Sequence, residues 1–536
     1  MTKIKEVDVL IVGAGFAGLY MLYLLRNQQQ LNTVVLEHAS DVGGTWYWNR
    51  YPGARCDIAS HEYAFSFSDE LQQEWSWSEK YAGQAEILRY LEHVAERFKL
   101  KPDIQFNTKV QSAVFDEQEK RWAIKTEAGE RYSAQYFIPA VGTLSSANIP
   151  PIQGQNDFNG DEYITSRWPS NGVDFKGKKV GIIGTGATAI QAIPVIAEEC
   201  EELYVFQRTA NYTSPLCNGE MTKANEREIK ANYQQLRDDE QKAFGGMPYK
   251  QLRPSALADS PDERETHYQK CWETGGFNVW LGSYEDILVN EDANKTVADF
   301  LRSKIRERVN DPKLAELLCP EEEQLFGIKR QPCETNYYEA FNRGNVTLVD
   351  IKSEPIKEIT AQGLKTTKSS YEFDILIYAT GFDAFTGSLF KMGITGRNGI
   401  TLEEYWADGP RTYLGLSVHG FPNMFTITGP QSPSVLFNMP LAIEMHCDWI
   451  AGCIKHMNAQ NLLEAEVDLP HEDNWIDHTR EVAEMTLFPK AKSWYMGANI
   501  PGKPRAFMVY VAGGPAYKQV ITDIADDGYK GYNFIK

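Results

Sequence analysis

A chain of 536 residues with a formal net charge of −19 at pH 7 is too long for one ordinary core and predicts two or three domains. Its acidity argues against a polyanionic partner such as nucleic acid. Apolar residues at 42% and charged residues at 24% exclude disordered and fibrous classes. In chain order, "VDVLIVGAGFAGLYMLYLLRNQ" predicts a short strand, a glycine turn and an apolar helix, and "TVVLEH" the next strand. "PDIQFNTKVQSAVFDEQEKRWAIKTEAGERYSAQYFIPAVG" alternates polar and apolar residues, with turn signals at "EQEK" and "EAGE", and predicts an antiparallel meander ending in a buried strand. "KKVGIIGTGATAIQAIPVIAEE" and "LYVFQR" repeat the opening strand–turn–helix–strand logic. From about Thr213 to Lys329 charged, helical text predicts an insertion solvated on one face. "FDILIYATGFDA" returns as a buried strand, and "FPNMFTITGPQSP" predicts another strand before a glycine–proline loop. No stretch reaches the roughly 18 uninterrupted apolar residues of a membrane span and no signal peptide is visible, so a soluble, cytoplasmic protein is expected. The eight cysteines include no C-x-x-C, which argues against a disulfide framework, a redox dithiol and a zinc cage; no metal is expected.

Two nucleotide fingerprints organise the chain. Gly13-x-Gly15-x-x-Gly18 follows a strand and opens a helix, the arrangement that seats a pyrophosphate on backbone amides. Glu37, at the end of the next strand, is placed to accept from a ribose 2′-hydroxyl. The alternative is a packing turn with a surface glutamate. Gly184-x-Gly186-x-x-Ala189 is the second fingerprint, with Ala189 in the third position, where only close packing is required. Here the position equivalent to Glu37 is Arg208, whose guanidinium pairs with a 2′-phosphate that a carboxylate would repel; otherwise it is a surface arginine. The fold class expected is therefore α/β, with two Rossmann-like dinucleotide-binding domains and a helical insertion. The first pocket suits an unphosphorylated ribose and the second NADPH, which implies electron transfer from NADPH to a flavin.

"GGTWYWNRYPGARCD" (Gly43–Asp57) resembles the pattern A/G-G-x-W-x-x-x-x-F/Y-P-G/M-x-x-x-D of the type I Baeyer–Villiger monooxygenases, matched at Gly43, Gly44, Trp46, Tyr51, Pro52, Gly53 and Asp57. "FNGDEYITSRWP" resembles their signature F-x-G-x-x-x-H-x-x-x-W-P at Phe158, Gly160, Trp168 and Pro169, with Ile164 in place of histidine. "ATGFDA" (Ala379–Ala384) resembles the family's A-T-G motif. "LFPKAKSWYMGANIPGK" (Leu487–Lys503) resembles the mobile loop that folds over NADPH in cyclohexanone monooxygenases. The resemblance runs from Val7 to about Tyr532.

It implies FAD, NADPH and dioxygen as reactants, and a C4a-peroxyflavin that attacks a ketone to leave an ester or lactone. A permanent cation suits that chemistry, because arginine stabilises an oxyanion without donating a proton. By resemblance Arg330 is that residue and Asp57 orients it. Gly13, Gly15, Gly18, Glu37, Gly44, Thr45, Trp46, Asp57 and Tyr63 would hold FAD. Gly184, Thr185, Gly186, Thr188, Arg208, Thr209, Lys329 and Trp494 would hold NADP, with Lys329 beside Arg208 on the 2′-phosphate. Leu144, Phe437 and Phe507 are candidate substrate contacts. The implied layout is 1–150 and 385–536 for the FAD domain, with the loop near 487–503, 151–212 and 331–384 for the NADP domain, and 213–330 for the insertion. A monomer acting on a small ketone is expected.

Ile164 has neither donor nor acceptor, so a hydrogen-bond relay through that linker position is closed. Either the linker packs an apolar residue and another group sets domain position, or coupling of NADPH oxidation to oxygenation is poorer. Rival readings are an N- or S-oxygenating flavin monooxygenase and an NADPH oxidase. A disulfide reductase is disfavoured because Cys56 has no cysteine partner in the sequence around it.

Overall fold

The computed structural model describes residues 3–536. The strand Ile4–Val12 lies inside a seven-stranded sheet. Its Val9, Leu10 and Ile11 are fully buried, as a strand covered on both faces requires. Parallel neighbours are Thr33–Leu36 and Arg131–Pro139, with Val9 opposite Thr33 in one and Tyr136 in the other. Ile104–Gln105 adds a parallel edge beyond Thr33–Leu36.

On the other side the expected meander is present. Val110–Asp116, Arg121–Thr126 and Arg131–Pro139 pair antiparallel. The first turn is closed by the Gln118 and Glu119 amides donating to the Asp116 carboxylate, an Asx arrangement.

A second sheet is wholly parallel. Its order is Val346–Asp350, Glu202–Gln207, Lys179–Ile183, Ile375–Tyr378 and Asp161–Ile164. The chain leaves Lys179–Ile183 for neighbours on opposite sides, so a crevice opens at the carboxyl end of that strand, where such sheets bind ligands. Ile164 ends the edge strand opposite Tyr378 and packs with Phe158 against the sheet, a position that suits a β-branched residue.

Between the two halves of this second unit run the helices Lys223–Ala231, Tyr233–Lys242, Pro261–Thr274, Glu291–Arg308 and Pro312–Leu318. Tyr268, Cys271 and Phe300 of these helices, with Trp280 from the connection between two of them, join the same continuous core as the helix Phe16–Leu22 of the first sheet, while Ile305, Ala315 and Leu318 join the core of the second sheet. The insertion thus packs against both units. Among the described residues no helix is long and apolar enough to cross a membrane.

One expected element is absent as regular structure. "FPNMFTITG" is buried but forms only an isolated bridge, Phe137 to Met424. Asn423 and Thr428 take φ of 57° and 53°, left-handed values that break the pleat at both ends of the segment.

Candidate active site

The first fingerprint builds a backbone-walled cradle. Gly18 lies so close to Gly13 that a Cβ on it would overlap the Gly13 carbonyl, and Gly15 faces Gly44 backbone to backbone. Glu37, 5% exposed, accepts from the amides of Ala14 and Ala39 at 2.6 Å each. Burial raises its pKa against the pull of those donors, and each oxygen retains a lone pair for a ribose hydroxyl. Trp46 Nε1 donates to Tyr63 Oη at 3.2 Å, while Thr45 is exposed at the start of the short helix Thr45–Trp48. These features fit a dinucleotide laid across bare backbone. Gly18→Ala is expected to cost about 3 kcal/mol through overpacking. A lower unfolding midpoint and a reduced FAD-to-protein ratio after purification would report it.

The second fingerprint caps the helix Ala187–Glu199. A Cβ at Gly186 would meet open space, which leaves the helix N-terminus accessible to a pyrophosphate. Thr185 Oγ1 donates to the Thr209 carbonyl at 3.0 Å and so ties the turn to the end of the next strand. Arg208 and Thr209 are exposed there. Lys329 comes beside Arg208: burial, then the neighbouring guanidinium, lower its pKa. Among the described residues neither cation has an acidic partner within ion-pair distance. Two unpaired cations side by side fit an anion as their shared partner.

Between the cradles sits Arg330. Its Nη1 donates to the Val435 carbonyl at 2.7 Å and Nη2 lies 3.5 Å from Asp57 Oδ2. The guanidinium covers the Phe277 ring at 4.7 Å and approaches Trp280 at 5.9 Å, both from the insertion. Burial opposes its charge most strongly, yet Asp57 together with Tyr495, Cys333 and Cys56 outweighs it and the pKa is raised. Burial also dominates at Asp57, lifting it to about 6 despite Arg330, and its Oδ1 is buried without a partner. As pH falls through about 6, Asp57 takes up a proton and releases its hold on the guanidinium. An acid limb near pH 6 is therefore expected in product formation. Asp57→Asn should be uniformly slow with that limb absent, as a pH profile of kcat would reveal.

Beyond Arg330 lies an apolar cluster of Val435, Phe385, Tyr495, Met508 and Val509, with Leu144, Trp494 and Phe507 packed against it. The segment Leu487–Lys503 folds over this region. Asn499 Nδ2 donates to the Phe382 carbonyl at 2.8 Å, and Lys503 Nζ pairs with Asp383 at 2.6 Å. Trp494 rests on Phe385 at 6.0 Å and on Tyr495 at 4.4 Å. Leu144 and Phe507 are thus brought together. Phe437 is not: it packs in a separate cluster with Leu441 and Ala442, under Gly246 and Gly514.

The comparisons with known proteins agree on one relationship. A Baeyer–Villiger monooxygenase of Pseudooceanicola batsensis is 42% identical over 98% of this chain and 95% of its own. The chain belongs to the Baeyer–Villiger monooxygenase family. A profile described as pyridine nucleotide-disulphide oxidoreductase matches residues 10–243. The cyclohexanone monooxygenase of Rhodococcus sp. Phi1, solved with NADP+, is 39% identical and superposes with a TM-score of 0.97 over the whole of both chains. A second solved relative, holding FAD and NADP, is 38% identical with a TM-score of 0.94, covering 99% of this chain and all of its own. A phenazine N-monooxygenase of Lysobacter antibioticus is 40% identical over 98% of this chain and 96% of its own. This Baeyer–Villiger monooxygenase is an NADPH-dependent FAD enzyme.

In this monooxygenase several residues at the site escape sequence reasoning. Tyr495 Oη is buried without a hydrogen-bond partner and faces Arg330, while burial raises its pKa. Phe277 and Trp280 lie in "GGFNVWLG", and that aromatic, glycine-rich break among charged helices was the available signal. Cys333 joins Cys56 within electrostatic range of Asp57 and Arg330, and burial pushes both thiols up. The structure therefore supplies Cys56 with a cysteine neighbour that local spacing did not suggest, but both are free and held as unreactive thiols.

Proposed function

We propose that the enzyme converts a ketone to an ester or lactone, consuming one NADPH, one proton and one O2 and releasing NADP+ and water. The observation that carries this reading is a partly buried arginine backed by a buried carboxylate and opening on an apolar cluster. When bound, FAD reduced by NADPH supplies the activated oxygen. Arg330 holds the negative charge that develops on the attacked carbonyl oxygen, in surroundings where such stabilisation is strong. Asp57 fixes the guanidinium plane, and the Val435 carbonyl takes a second edge of the fork. Glu37 accepts from the FAD ribose, and Trp46 and Tyr63 border that site with Thr45. Arg208 and Lys329 take the 2′-phosphate of NADPH while Gly184, Gly186, Thr185, Thr188 and Thr209 frame its pyrophosphate. Trp494 and the segment Leu487–Lys503 that carries it exclude water from the nicotinamide side. Leu144 and Phe507 contact substrate, and Phe437, in its separate cluster, does not. In this reading 1–150 and 385–536 serve FAD, 151–212 and 331–384 serve NADP, and 213–330 braces Arg330 through Phe277.

Oxygenation at nitrogen or sulfur is the second reading, favoured by the phenazine-oxidising relative. That chemistry develops no alkoxide and has less need of a guanidinium. Incubating the FAD-loaded enzyme with NADPH and a panel of cyclic ketones, linear ketones, a sulfide and a phenazine separates the two. Ester or lactone approaching one per NADPH is expected. Oxide products with no ester would overturn the ketone reading, and peroxide alone would leave an oxidase.

A further inference from the structure

The segment Gly43–Asp57 is held from two sides. Its start faces the first fingerprint, and its later part lies on the helix Ala187–Glu199 that the second fingerprint opens. Tyr51 Oη donates to Gln191 Oε1 at 2.8 Å, and Gln191 Nε2 donates to the Arg55 carbonyl at 3.1 Å. The Arg55 amide points at the same Gln191 oxygen from 3.5 Å. Between these contacts Gly53 has φ +77° and lies directly on the helix. A Cβ there would overlap the Gln191 carbonyl and meet Val195 at 3.2 Å. The Tyr51 ring packs into the core of the second unit with Ala189, Ile190 and Ile193, and the Thr188 hydroxyl lies beside its phenol. A second tie is the Trp168 amide donating to the Trp48 carbonyl at 3.3 Å, with the Arg167 guanidinium over the Trp48 ring. Ile164 contributes no polar group to this seam.

The segment ends at Asp57, 3.5 Å from Arg330. A charge-assisted bond closes nearer 2.9 Å, so a shift of about 0.6 Å separates a loose pair from a firm one. We infer that Gln191 is a positioning residue: its bonds to Tyr51 and Arg55 carry the placement of the nucleotide-binding helix to Asp57, and so to Arg330. The inference rests on the reading of Asp57 and Arg330 given above. It places nucleotide occupancy and oxyanion stabilisation on one mechanical line, with Gln191 as the fastener. Both carboxamide atoms of Gln191 are engaged by Tyr51 and Arg55, so removing it should spare NADP+ binding and disturb what binding does to the segment.

The test uses FAD-loaded enzyme and hydrogen exchange of the backbone amides from Tyr51 to Asp57, with and without NADP+. In the parent enzyme NADP+ is expected to slow exchange there. Gln191→Met keeps the side-chain length without its hydrogen bonds. It should retain NADP+ affinity within about threefold and lose the NADP+-induced protection about tenfold, as expected for two lost half-buried hydrogen bonds. Peroxide released per NADPH should rise in parallel. Tyr51→Phe removes one of the two bonds, gives a smaller effect, and stands in if Gln191→Met does not fold. The double variant should be no worse than Gln191→Met alone. Protection unchanged in Gln191→Met would overturn the inference. So would protection lost only together with NADP+ binding, or lost with no rise in peroxide. A parent enzyme that oxidises no ketone would overturn the proposed function instead, and the exchange result would still be readable.

Discussion

Arg330→Met should lower ester formation by about a hundred- to a thousandfold while NADPH oxidation continues within a few-fold, its electrons leaving as hydrogen peroxide. The separation follows from geometry. Arg330 is partly buried beside Asp57, with the Phe277 ring over its guanidinium, whereas Arg208 and Lys329 lie together as a separate pair of cations. Loss of the guanidinium removes the charge opposite the developing oxyanion and leaves nucleotide binding intact. Breaking a buried pair often costs about 3–5 kcal/mol because one charge is left stranded. Here Asp57 already titrates near 6, and without Arg330 it takes up a proton rather than remaining charged in the interior. The fold should therefore survive. Arg330→Lys makes the sharper comparison: it keeps a positive charge but loses the planar face on Phe277 and the fork joining Asp57 to the Val435 carbonyl. It should sit much closer to Arg330→Met than to the parent. Product by gas chromatography, set against NADPH absorbance and peroxide, gives the ratio. An unchanged ester-to-NADPH ratio in Arg330→Met would remove Arg330 from the chemistry.

How far the sequence reaches depends on the kind of signal. Both fingerprints were legible because a tight turn and a close helix–strand approach leave few residue choices: Gly18 tolerates no Cβ and Ala189 is fully buried. The antiparallel meander was legible through period-two alternation punctuated by Asp116 and Gly129, the latter at φ 86°. "FPNMFTITG" misled because its composition is that of a strand, while the left-handed Asn423 and Thr428 are visible only in the backbone. At the site, the Asp57–Arg330 approach joins positions far apart in the chain, and resemblance supplied it where periodicity could not. Tyr495, Phe277 and Trp280 stayed hidden because aromatic residues in loops read first as packing. Gln191 stayed hidden because one polar residue on a buried helix face has no periodic signature; its meaning lies in the Tyr51 and Arg55 atoms it meets.

Replacing either Arg208 or Lys329 by alanine should raise KM for NADPH about ten- to a hundredfold, the range for one charge-assisted contact to phosphate. KM for NADH should hardly move, since NADH lacks the 2′-phosphate. Exposed Arg208 belongs at the lower end, because solvent screens its charge, and half-buried Lys329 at the upper. The two losses should be less than additive, as both cations address one phosphate. Stability supplies an independent check with the opposite sign. Lys329 is disfavoured as a cation by burial and by Arg208 beside it, so without ligand the pair repels. Removing one member relieves that repulsion, and the NADP+-free enzyme should melt at the same temperature or slightly higher. Stabilisation by added NADP+ should shrink in step with the lost affinity. Residues kept only for packing would behave the other way, losing stability with no preference between the two nucleotides. Equal rises in KM for NADPH and NADH, or a lower melting temperature without ligand, would place these two cations outside 2′-phosphate recognition.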